Sequence, residues 1–169
     1  EHILMGLDHL MFVFGLLLLV GAGRRLLWTI TAFTIGHSIT LSLVTLGYFD
    51  YPVELVEFVI ALSIFVLAVE LTRTAKHDVL WRNPWWLAGG FGLLHGMGFA
   101  GALTGLGLPR GEFVTALVGF NVGVECGQLL VIAGAFAVIG WYQDRPAYRG
   151  RVVVPASLAI AGVAAIGLI

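Results

Sequence analysis

Six apolar runs, each close to the length needed to cross a bilayer, leave this chain few ways to fold. They extend from Ile3 to Val20, Leu26 to Leu46, Val53 to Leu71, Trp85 to Leu106, Phe113 to Trp141 and Val152 to Ile169. A helix needs about 20 apolar residues to span a hydrocarbon core roughly 30 Å thick. With no water there to satisfy backbone amides and carbonyls, helices are the natural solution for single runs of this length. The 169 residues carry only 11% charged side chains, and the mean hydropathy is +0.98. The expected fold is therefore all-α: a polytopic membrane protein with six transmembrane helices in one bundle, residues 1–169 forming a single transmembrane domain.

The connections carry the punctuation this reading requires. Turn and charge signals separate the runs at Gly21 to Arg25, Gly47 to Pro52, Arg73 to Pro84, Leu108 to Gly111 and Gln143 to Arg151. Tyr48, Tyr51, Trp81, Trp85, Trp86, Trp141 and Tyr142 flank the spans, as interfacial aromatics do. Basic residues are unevenly shared. Arg24 and Arg25 stand in the first loop, Arg73, Lys76 and Arg82 in the third, and Arg145, Arg149 and Arg151 in the fifth. The second loop has none and the fourth only Arg110. The positive-inside rule then makes loops one, three and five cytoplasmic and both termini extracytoplasmic, in a multi-pass protein of the inner (plasma) membrane. Glu1 in place of an initiator Met, an outside N-terminus and no cleavable signal peptide together predict that the chain is a processed product or the membrane part of something longer.

Polar residues inside the runs carry the functional information. His9, His37 and His95 lie in three different spans, accompanied by Asp8, Glu57 and Glu125. A charged side chain at a helix centre costs about 2.5–3.5 kcal/mol on insertion scales, so several at similar depth imply pairing, a wet cavity or a bound cation. Asn121, Glu125 and Gln128 share one helical face at i, i+4, i+7, and Thr34 and Ser38 flank His37. Glu70 is placed to pair with Arg73 three residues on. Small residues recur every four positions at Ala88, Gly92, Gly96 and Ala100, and again at Gly119, Gly123 and Gly127, predicting close helix contacts at both stripes. The last span has no ionisable residue and reads as a structural wall. The single Cys126 excludes an intramolecular disulfide framework, and a formal net charge of −1 gives no sign of a nucleic-acid partner.

This chemistry suits a transition metal without selecting one. Imidazole binds Ni, Co, Cu, Zn and Fe, and carboxylates supply neutralising charge; Met5, Met11 and Met97 keep copper open. Two further classes stay open beside a transporter: a haem-binding redox or assembly protein with His37 and His95 as axial ligands, and an intramembrane metal-dependent enzyme with Glu57 or Glu125 as base. No His-Glu-x-x-His element occurs, which counts against the enzyme. Nor does a Walker A loop, so transport would draw on the membrane potential, a proton gradient or a partner.

Four segments together resemble the HupE/UreJ family of hydrogenase and urease accessory membrane proteins. They are the stretch His2 to His9, the Gly36-His37-Ser38 helix, Phe91 to Ala100, and Phe120 to Glu125. The resemblance implies permease activity for nickel or a related divalent metal, cobalt next, with the His-x5-Asp-His element formed by His2, Asp8 and His9 carrying metal recognition. Ile3 stands where smaller members have Pro, which is closer to the branch with a large extracytoplasmic segment. The expectation is an outer station at His2, Asp8 and His9 and an inner one at His37, His95, Asn121 and Glu125, with Glu57, Gln128, Ser38 and Thr34 along the path. The partners are the ion and the lipid bilayer, with an oligomeric mate or an accessory extracytoplasmic domain left open.

Overall fold

The computed structural model describes residues 2–21, 23–73, 83–105 and 113–168. Each of the six apolar segments is helical: α1 is His2–Val20, α2 Arg24–Thr45, α3 Val53–Thr72, α4 Pro84–Gly105, α5 Phe113–Ile139 and α6 Val154–Ile166. A 3-10 turn, Gly140–Tyr142, ends α5, and a π turn, Arg149–Val153, leads into α6. No strand occurs among the described residues. Four stretches, Arg24–Thr45, Val53–Thr72, Val114–Tyr142 and Arg149–Ile166, are long and apolar enough to cross a membrane; Asp8–Val20 is apolar but shorter.

The helix ends follow from local chemistry. Gly47 takes a φ of 78°, its N–H bonding the Val44 carbonyl while the Tyr48 N–H reaches Leu43, so the last carbonyls of α2 are satisfied by a Schellman turn. Pro84 opens α4, where a missing N–H does no harm. At the end of α3, the Arg73 guanidinium lies 3.3 Å from the buried Glu70 carboxylate, the pairing their spacing predicts. From the π turn before α6, Arg149 donates to the carbonyls of Thr72 and Arg73 at 2.8 and 2.7 Å, capping α3 from a distance.

Packing is tightest between α2 and α4, which run parallel. A Cβ added at Gly92 would strike the Phe33 carbonyl, one at Gly96 the His37 carbonyl and the Thr40 hydroxyl, and one at Gly36 the Gly89 carbonyl. Ala88 and Ala100 complete the stripe, both fully buried. The two backbones therefore touch directly, the close approach that small residues permit in a membrane. The second stripe behaves otherwise: Gly119, Gly123 and Gly127 on α5 have no atom within 4 Å of an added Cβ. The expectation of a tight contact there is overturned within this chain. α5 packs through the face bearing Leu117 and Gln128, leaving Val118, Val122 and Leu130 exposed.

Two apolar clusters fill the interior. The larger joins Phe12, Leu16, Phe33, Ile64, Leu67 and Ile160, with α6 laid against α3; the smaller joins Leu41, Ala100 and Leu117. On α2 the first contributes Phe33 and the second Leu41, and His37 falls midway between them.

Candidate functional site

Between those clusters three imidazoles meet. His9 of α1, His37 of α2 and His95 of α4 are 8, 0 and 1% exposed. The His9 ring centroid is 5.0 Å from that of His37 and 5.1 Å from that of His95, both edge-on. The glycines of α4 bring this about. Gly92 and Gly96 seat α4 against the backbone of Phe33 and His37, and His95 and His37 both meet the His9 ring. Phenylalanines form the surrounding shell. Phe33 and Phe99 lie 5.1 and 4.8 Å from His9, Phe12 lies 5.0 Å from His95, and Phe120 stacks on His37 at 6.4 Å.

The polar atoms of this cluster are poorly satisfied. His9 Nε2 and both nitrogens of His37 are buried without a hydrogen-bond partner. Each such group forfeits about 1–3 kcal/mol, a penalty that native structures rarely accept without a functional reason. His95 differs, because its Nε2 lies 3.2 Å from the Ser63 hydroxyl of α3. Among the described residues, no three His, Cys, Asp or Glu side chains are close enough, as they stand, to hold an ion.

The remaining predicted residues form two further groups. Asp8 is half-buried and within electrostatic reach of Glu57, which is exposed on α3. This places Glu57 with the α1 carboxylate and not with His37 and His95. Along the other face of α2 runs a polar seam with α5. Ser38 Oγ donates to Asn121 Oδ1 at 2.8 Å, Thr34 Oγ1 to Gln128 Oε1 at 3.2 Å, and Thr31 Oγ1 to Glu125 Oε1 at 3.5 Å. Gln128 is buried and its Nε2 has no partner. Glu125 sits at the level of Thr31, about 9 Å along the helix axis from His37. The structure thus groups His9 with the inner histidines and sets Glu125 apart from them. The His2 side chain lies outside the described residues.

Ser63 and the phenylalanine shell went unread in the sequence. Ser63 had one signal, a lone hydroxyl midway between Glu57 and Glu70 in an otherwise apolar helix. Phe33 precedes His37 by four residues, and Phe99 follows His95 by four, so each shares a helical face with its histidine.

The fold and these buried imidazoles define an all-helical membrane protein with a polar centre assembled from separate helices. Residues 1–169, the whole length, match the family model described as HupE / UreJ protein, and the chain belongs to that family. Comparison with curated proteins and with solved structures finds no match.

Proposed function

We propose that this protein carries a divalent transition-metal ion across the inner membrane, nickel first and cobalt next, through six membrane-spanning helices with both termini extracytoplasmic. The family's association with nickel or cobalt uptake or accessory function supports a metal-related transport role. One observation carries the reading to residues: three buried imidazoles from three helices converge, and His9 Nε2 and both His37 nitrogens lack hydrogen-bond partners. Unpartnered lone pairs in an apolar shell are what an incoming cation would complete, and neutral imidazole matches the preference of nickel and cobalt for nitrogen donors. Binding turns the ring nitrogens inward on the ion.

Asp8, with His2 and the neighbouring Glu57, gathers cations at the extracytoplasmic end. His9, His37 and His95 form the central station. The seam of Ser38, Thr34, Asn121, Gln128 and Glu125 supplies oxygen donors along the way toward the cytoplasm. Because the ligands must be unprotonated, binding weakens as pH falls.

Equilibrium binding of Ni2+ to detergent-purified protein, with uptake into proteoliposomes, tests this. His37→Ala and His95→Ala should each stay folded and lose at least about tenfold in affinity, near 1.4 kcal/mol. Unchanged stoichiometry and affinity in both variants would refute the central station. A Soret band in the purified protein would move the assignment to haem.

A further inference from the structure

We propose that Ser63 is a positioning residue that decides which nitrogen of His95 faces the ion, an assignment that rests on the metal-carrier reading. Ser63 Oγ is 2.7 Å from the Ile60 carbonyl and 3.2 Å from His95 Nε2. A carbonyl oxygen only accepts, so the single hydroxyl proton of Ser63 goes to Ile60. What remains on Oγ is lone pairs. The contact to His95 is then a hydrogen bond only if Nε2 carries the ring proton. In a neutral imidazole this leaves Nδ1 with the free electron pair, and Nδ1 is the atom that can take a metal without breaking anything.

The surroundings hold this arrangement in place. Ser63 is buried at 3% exposure and His95 at 1%, so water is not at hand to replace either bond. At Gly98, one turn beyond His95, an added Cβ would come 2.7 Å from Ile60 Cδ1. The missing side chain therefore lets the turn of α3 from Ile60 to Ser63 press against α4 beside the imidazole.

His37 makes the contrast. Neither of its nitrogens has a partner, so its ring is packed by Phe33 and Phe120 but no hydrogen bond presets its tautomer. The cluster joins one imidazole with a fixed donor atom to one that is free to present either nitrogen. For a site that must release its ion, a fixed ligand keeps the geometry while an unfixed one lets go.

Ring-proton positions can be read without metal. In 15N-histidine-labelled, metal-free protein, with His95 signals assigned by their loss in His95→Gln, wild type and Ser63→Thr should show the proton on Nε2. Ser63→Ala should show a mixture of tautomers. Ni2+ affinity should fall about 10–100-fold in Ser63→Ala, the usual effect of removing a group that orients a ligand, and stay near wild type in Ser63→Thr. A wild-type His95 protonated at Nδ1, or Ser63→Ala binding as tightly as wild type, would overturn the assignment. Wild type that binds no Ni2+ would overturn the carrier reading, whereas the tautomer measurement judges Ser63 by itself.

Discussion

Asp8 and Glu125 are partly buried carboxylates with different neighbours. Asp8 of α1 is half-buried within electrostatic reach of Glu57, whereas Glu125 approaches Thr31 in the seam between α2 and α5. If the first gathers ions and the second passes them on, their conservative replacements should separate. Asp8→Asn should raise the metal concentration for half-maximal uptake by about tenfold, near 1.4 kcal/mol, and leave transport at saturating metal. Glu125→Gln should abolish uptake at every concentration. A concentration series in proteoliposomes decides; the division of labour fails if Asp8→Asn is dead throughout and Glu125→Gln behaves like wild type. At this scale His37 and His95 were legible because an imidazole in an apolar run is expensive. The membership of His9 was not. Its position in the first span suggested an outer depth, and only packing of α1 against α2 and α4 carries its ring 5.0 Å from His37. Ser63 gave only its place as a lone hydroxyl between two glutamates, a weak sign because a serine can bond its own helix and satisfy itself.

Among the elements, the pair α2 and α4 is where substitution should hurt most. Adding even a methyl at Gly92 or Gly96 drives it into a backbone carbonyl, which no rotamer change relieves. Gly92→Ala and Gly96→Ala should therefore each destabilise by about 1–3 kcal/mol and loosen the histidine cluster. Gly123→Ala, whose new Cβ meets nothing, should be neutral or stabilise by about 0.5–1 kcal/mol, because glycine is a poor helix former. Thermal unfolding of the three variants in detergent checks the contrast. Equal effects would show that the α5 stripe has a partner beyond this chain. Both stripes were visible as four-residue repeats of small side chains. Periodicity states which residues share a face, but lipid tails are as apolar as leucine and give no signal of which face meets another helix.

For the whole molecule, the uneven sharing of arginine predicts one orientation. In a background lacking the exposed Cys126, membrane-impermeant thiol reagents should label Gly47→Cys and Gly111→Cys from outside and fail to label Gly23→Cys and Ala147→Cys. The reverse pattern would invert every depth assigned above. The helical segments themselves were legible from apolar runs and turn residues alone. The pairing of α2 with α4, or of α3 with α6, was not, because each joins segments far apart in sequence. That separation also sets a clock. The bonds from Arg149 to the end of α3 span 77 residues to Thr72. At about 5–20 residues per second of synthesis, the α3 carbonyls and the flank that α6 covers wait about 4–15 s for their partner. During that interval the growing chain goes from three helices to five with one side still bare, which makes arrival of the last helix the step that closes the bundle.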